Sequence, residues 1–384
     1  MVTGLQSSNL RMMRKALLLI APLLLLASIE LAFRFGLWEP MASPTSHAGT
    51  SVRLKRELLA PNNAKIDFVT LGSSLPEFGI DHESVAAAAR QHGFVHANLS
   101  MPGVHWMSIG ILTDWLRQHH PEIRGGVIAL SVQDLAWPGN GHYELGIVQP
   151  FRQPSDTDWI EAHIPLDRSQ METWGSRFAL IAWRSDVRDF LAHPFKRLNR
   201  LRKSLRDNDS DRLFSNRNIP GDMCAWGLKS LDACVRLDAD SNASDNLRRQ
   251  CREIAMIVNE HPDFAAMARQ AALPESMQKT RNLVRNQLRE IKWRTPPIVL
   301  LMPIPTIWRA DVRGAGLEQW ALSVLKPLDQ DGTIRLIDAT TFFDIDKEGG
   351  CSDFGDFYHQ NSKGRSKFSE WLLPRIDRLL YSPL

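Results

Sequence analysis

The groups in this sequence that could do covalent chemistry are a serine on a turn and a histidine with a carboxylate three residues before it. Gly72-Ser73-Ser74 closes an apolar run over 66–71, and Asp356-Phe357-Tyr358-His359 stands nearly three hundred residues later. A serine hydroxyl becomes a nucleophile when a neighbouring base takes its proton, and an imidazole serves as that base when a carboxylate fixes its tautomer. Ser74, His359 and Asp356 are therefore the candidate nucleophile, base and orienting acid. Ser73 is the alternative nucleophile, one register step away, and Asp353 is the alternative carboxylate. Ser100 and His105 flank Gly103 but lack a partner at useful spacing, whereas Trp106, Trp308 and Arg309 follow strand ends and could line a cleft. The competing reading of the pair is structural, with Ser74 as a turn residue and His359 as a neighbour of the cap of the last helix.

Residues so far apart must be brought together by the fold. Short apolar runs at 66–71, 94–99, 126–132, 298–303 and 333–337 read as strands. Segments of helical period lie near 83–91, 107–117, 274–293, 317–328 and 362–380. Strand alternating with helix predicts an α/β protein built on a doubly wound parallel five-stranded sheet. The unbroken apolar character of the third run, GVIALSV, predicts a strand covered on both faces. Residues 140–293 carry no convincing strand pattern and read as a large helical insertion. Within it, 196–206 (KRLNRLRKSLR) places Leu198, Leu201 and Leu205 on one face of a basic helix. That helix reads as solvated, with a surface of anionic lipid as the alternative. Ligands of open α/β sheets sit at the carboxyl ends of the strands, where Ser74, the 98–103 loop, the 131–134 loop and His359 all fall.

On these residues the chain resembles the SGNH (GDSL-type) hydrolases, over roughly 64–135 and 296–380 but not over the insertion. The resemblance implies a flavodoxin-like sheet, with Ser74 as nucleophile and with Asp356 and His359 as the Asp-x-x-His pair, followed by Asn361 and Gly364. It also implies an oxyanion hole of the Ser74 and Gly103 backbone amides plus a side-chain amide. The block that supplies this amide is Gly-x-Asn-Asp in the family; here Ser131 replaces the glycine and Gln133 the asparagine. Gln133 carries the same amide on a longer stem, and loss of one such donor costs about 3–4 kcal/mol of barrier. No cofactor is implied.

The N-terminus bears on where such chemistry happens. Arg11, Arg14 and Lys15 precede an apolar run from Ala16 that is interrupted by Glu30 and resumes to Phe33. Residues 1–38 are expected to be a cytoplasmic tip and a single transmembrane anchor, 39–63 a tether, and 64–384 the SGNH-like domain. Glu30 and Arg34, one helical turn apart, can pair near the interface. A cleaved signal segment is the alternative, although no clean Ala-x-Ala site follows. The expected location is the inner (cytoplasmic) membrane, with the domain in the periplasm or another extracytoplasmic space. Four cysteines in an exported chain suggest disulfides, with Cys224–Cys234 the nearest pair and Cys251 and Cys351 bridged or reduced. Nothing in their spacing suggests a metal. A net charge of +3 does not call for nucleic acid. Twelve Trp against three Tyr are read first as core and rim packing, with stacking faces for sugar rings as the alternative.

Taken together, anchor and resemblance point to envelope proteins that add or remove O-acyl groups on polysaccharides, with a polysaccharide or glycan acceptor and a multi-spanning acyl-donor partner. The rival expectations are a general esterase or lipase, and an inactive scaffold of a polysaccharide export complex.

Overall fold

The five apolar runs form five parallel strands, β1 (Phe68–Gly72), β2 (His96–Asn98), β3 (Gly125–Leu130), β4 (Ile298–Leu301) and β5 (Arg335–Asp338), in the order β2-β1-β3-β4-β5. The computed structural model describes residues 20–61, 65–104, 106–136, 141–163, 170–206, 213, 216–228, 230–237, 243–260, 275–309, 312–345 and 350–381. Alternating side chains of each strand enter different cores, as the period of two requires. Val69, Leu71, Ile128, Leu130, Val299 and Leu301 face one cluster. Phe68, Val127, Ala129, Ile298 and Leu300 face the other.

Helices cover both clusters. On the first face lie α1 (His47–Leu58), α4 (Trp106–His119), α14 (Glu275–Glu290) and α16 (Val312–Gln330), through residues such as Leu54, Leu112, Leu288 and Val324. On the second face lie α3 (His82–Gln91) and α17 (Ser362–Tyr381), through Val85, Phe368, Leu372 and Ile376. Two short helices, α2 (Ser74–Gly79) and α5 (Val132–Ala136), follow β1 and β3 directly. The fold is thus α/β and covered on both faces, with its strand order reversing between β1 and β3.

Between β3 and β4 the described residues form helices and no strand: α6 (Gly141–Val148), α7 (Asp156–His163), α8 (Gln170–Arg177), α9 (Ala179–Ala182), α10 (Arg184–Ala192), α11 (Pro194–Arg206), α12 (Leu231–Leu237) and α13 (Asp245–Glu260), ahead of α14. After β4 comes the short α15 (Thr306–Arg309). Two disulfides join Cys224 to Cys351 and Cys234 to Cys251. This corrects the expected Cys224–Cys234 pair. Proximity in sequence is a weak guide here, because Cys224 packs beside the loop that carries Cys351, and Cys234 and Cys251 face each other across the α12–α13 hairpin.

Within the stretch expected to be a tether, residues 47–58 form a packed helix. This helix, α1, is capped by Ser46, whose side chain accepts from Gly49 N–H, and it buries Val52, Leu54 and Leu58. The i, i+4 spacing of Leu54 and Leu58 sets both on the sheet-facing side of the helix. N-terminal to it, residues 20–34 are helical, with Leu23, Leu24, Leu25 and Leu26 all more than half exposed. Residues 1–19, which include the basic flank and the start of the apolar run, lie outside the described residues. Among the described residues no helix is long and apolar enough to cross a membrane. Glu30 pairs with Arg34 at 2.6 Å and also accepts the Ala179 and Leu180 N–H groups at 2.8 and 3.0 Å, which ties this helix to the start of α9.

Candidate active site

Ser74 owes its position to the turn between β1 and α2. A β-carbon on Gly72 would stand 2.3 Å from the Ala129 carbonyl oxygen and 2.4 Å from Pro76 Cγ, so only glycine allows β1 to pass this close to β3. Ser73 then caps α2 by accepting from Leu75 N–H, and donates to Asp134 at 3.5 Å. Asp134 is itself fixed, accepting Ser131 N–H at 2.8 Å while its own N–H donates to Ser131 Oγ at 3.0 Å. With Ser73 spent as the cap, Ser74 becomes the first helical residue. Its amide then belongs to the first turn, where N–H groups lack intrahelical acceptors.

The hydroxyl of Ser74 lies 2.8 Å from His359 Nε2. On its other side the imidazole Nδ1 donates to Asp356, at 2.8 Å to Oδ2 and 3.0 Å to Oδ1. With Nδ1 donating, Nε2 is the acceptor for the serine proton, and the line can carry a proton from Oγ to imidazole. Asp356 Oδ1 also accepts the Tyr358 and His359 amides at 2.8 and 2.7 Å. Burial pushes the Asp356 carboxyl up, but the hydrogen bond and charge of His359, with these two amides, outweigh it and hold the group below its usual range. The carboxylate therefore stays ionised beside the imidazole. All three side chains are half-buried or better, with His359 and Asp356 at 20% and 14% exposure.

The loop that carries His359 is braced from both ends. Gly355 N–H donates to the His359 carbonyl at 2.9 Å, and Phe354 and Gln360 form an antiparallel bridge. The insertion adds to this: Met223 N–H donates to the Phe354 carbonyl at 2.9 Å, and Asn361 Nδ2 donates to the Gly221 carbonyl at 3.1 Å. The Cys224–Cys351 bridge closes the same seam.

The remaining candidates separate cleanly. Asp353 is buried and faces Lys363 and Lys367 of α17 at 3.5 and 3.3 Å, so it is not the carboxylate on His359. Trp106 is 1% exposed and packs in the core. Ser100 is buried, its N–H donating to Asn98 Oδ1 at 3.0 Å. Gly103 is half-buried with φ +74°, in a loop whose Met101 N–H donates to the Gly72 carbonyl at 2.9 Å, which places it at the same end of the sheet as Ser74. His105 and the side chains of Gln133, Trp308 and Arg309 lie outside the described residues.

Sequence reasoning passed over two neighbours on α2. Phe78 sets its ring edge-on to His359, with centroids 5.2 Å apart. Glu77, 1% exposed, pairs with Arg217 of the insertion at 2.8 Å. The signal was available in the spacing, since positions three and four after Ser74 return to its face of the helix. Among the described residues no group of three His, Cys, Asp or Glu is placed to hold a metal ion. No protein-family model matches the chain, and no curated protein is significantly similar to it in sequence.

Proposed function

We propose that this protein is a membrane-anchored serine acyl-transfer enzyme of the SGNH (GDSL-type) kind, acting outside the cytoplasm on an O-acylated envelope polysaccharide or glycan. The observation that carries the catalytic part is the 2.8 Å contact between Ser74 Oγ and His359 Nε2, with Asp356 on the far nitrogen. His359 takes the Ser74 proton as Oγ attacks an ester carbonyl. The Ser74 and Gly103 amides, with the Gln133 side-chain amide as the third donor, hold the oxyanion. The imidazolium then protonates the leaving alcohol, leaving an acyl-serine. Water resolves it in hydrolysis; a sugar hydroxyl resolves it in transfer, and His359 removes the proton of either one.

The anchored location is supported by the run of exposed leucines in the 20–34 helix. It is further supported by the basic flank of Arg11, Arg14 and Lys15, which favours the cytoplasmic side. Exposed side chains of this kind are covered at a gain of about 25 cal/mol per Å² when lipid replaces water. A multi-spanning acyl donor and a polysaccharide acceptor follow by analogy from the family resemblance together with the anchor.

The test uses the full chain in detergent. A fluorophosphonate probe is expected to label the protein and to fail on Ser74→Ala. Equal labelling of both would remove Ser74 from the mechanism, and absence of labelling and of p-nitrophenyl acetate turnover in the unaltered chain would favour the scaffold reading. Acetyl transfer from p-nitrophenyl acetate to an added oligosaccharide, read by mass spectrometry, separates transfer from hydrolysis.

A further inference from the structure

We infer that the corner between α10 and α11 is a binding surface for anionic phospholipid, which lays the insertion on the bilayer beside the N-terminal helix. This inference rests on the anchored reading given above. Contacts fix the corner's place relative to the anchor. Phe33 stacks on Trp38 at 5.2 Å, and Trp38 meets the edge of Phe190 of α10 at 5.6 Å. Trp38 Nε1 also donates to Asp186 Oδ2 at 2.9 Å. A bilayer that takes up the helix as far as Phe33 therefore has its outer interface at the level of Trp38 and Phe190, where tryptophan prefers to sit.

At that level the chain exposes large apolar side chains that the protein leaves uncovered. Phe35 is 81% exposed and Leu37 71%; Leu191 and Phe195, flanking the α10–α11 turn, are 72% and 81% exposed. The same two helices expose the cations Arg188, Lys196, Arg200, Arg202 and Lys203. Apolar side chains set among lysine and arginine are the pattern of a helix lying in a lipid interface. The corner is also rigid. Arg197, though part of the same basic run, points inward and is 0% exposed, binding Asp186 at 3.0 Å, Asp189 at 2.5 Å and the Met41 carbonyl at 2.9 Å. This clamp offsets one of the two nearby carboxylate charges and joins α10, α11 and the segment that leaves the anchor. Beside it opens a cavity of about 550 Å³, lined by Arg184, Arg197 and Arg200, by Ser43, Thr45 and Ser46, and by Asp186 and Asp189, which Arg197 already pairs. Guanidinium and hydroxyl groups together suit the phosphate of a lipid headgroup.

The test places an environment-sensitive nitrobenzoxadiazole label on the full chain in liposomes, using single cysteines. All four native cysteines are bridged, so an added one is the unique target. Labels go at Phe195→Cys, at Leu24→Cys for the anchor, and at Val95→Cys as an exposed site elsewhere on the domain. Doxyl lipids are expected to quench Leu24→Cys and Phe195→Cys but not Val95→Cys. Quenching at position 195 is expected to require phosphatidylglycerol in the phosphatidylcholine membrane, and each of Lys196→Gln and Arg200→Gln is expected to weaken it about five-fold. Quenching at 24 with none at 195 overturns the lipid surface and leaves the anchor. No quenching at either overturns both, and equal quenching at 195 in pure phosphatidylcholine overturns the selectivity for anionic lipid.

Discussion

Replacing Asp356 by Asn tests the proton line at its least conspicuous member. Asp356 Oδ1 accepts two backbone amides at 2.8 and 2.7 Å, and Oδ2 accepts His359 Nδ1 at 2.8 Å. An asparagine can keep its oxygen on the two amides, which preserves the loop. Its NH₂ group then faces Nδ1–H, two donors in opposition. The imidazole responds by moving its proton to Nε2, which presents a donor to Ser74 where an acceptor is needed. In Ser-His-Asp triads that tautomer change costs about 10⁴ in kcat, equivalent to about 5.5 kcal/mol of barrier. The expected result is a loss of that order in kcat on p-nitrophenyl acetate, with KM and the urea midpoint close to those of the unaltered chain. Asp353→Asn is the matched control. It removes a buried carboxylate that faces Lys363 and Lys367 and not His359, so kcat is expected within about three-fold while stability falls by about 1 kcal/mol. If Asp356→Asn keeps more than about a tenth of the rate, or both variants lose equally, the assignment of the orienting carboxylate is wrong.

Replacing Cys224 and Cys351 by Ala opens a bridge between residues 127 positions apart, worth about 5 kcal/mol on the chain-entropy account, whereas the Cys234–Cys251 bridge spans 17 and is worth about 3. Urea unfolding is expected to rank the two in that order, and only the first pair should lower kcat/KM, because it braces the His359 loop. Gly72→Ala drives a β-carbon against the Ala129 carbonyl oxygen and is expected to destabilise by about 1–3 kcal/mol while displacing Ser74, read as joint loss of the urea midpoint and fluorophosphonate labelling. Burial pushes the His82 imidazole down from 6.5 to about 4 and holds His96 well below its ordinary value, so both are neutral when folded and protonate on unfolding in mild acid. The unfolded chain then binds more protons, and stability falls as pH drops through 6.5, by about 1.6 kcal/mol from His82 alone between pH 6.5 and 5. Denaturation at the two pH values checks this, and an equally steep fall in His82→Gln would refute it. His82 Nε2 donates to the Pro76 carbonyl of α2 at 2.9 Å, and because the folded imidazole stays neutral over this range the bond to the helix that carries Ser74 is kept.

The sequence alone determined the strands, because their signal is local. The runs that became β1, β3 and β4 are apolar enough to be covered on both sides, and the helical periods of α3, α16 and α17 are written in their own residues. It also singled out Ser74, Asp356 and His359, since the chemistry demands those residue types and Asp-x-x-His fixes its own spacing. Other features were decided only when distant segments met. The choice between Asp353 and Asp356 turned on which one α17 claims through its lysines. Within the basic 196–206 run, nothing in the composition marks Arg197 as the buried member; the partner carboxylates on α10 do. Cysteine pairing followed the packing of α12 on α13 and of the insertion on the His359 loop, and not nearness along the chain. Residues 47–58, within a stretch that is turn-like by composition, became α1 because a hydrophobic face on the sheet was there to receive Leu54 and Leu58. Local propensity costs only tenths of a kcal/mol per residue, and burial of two leucines outweighs it.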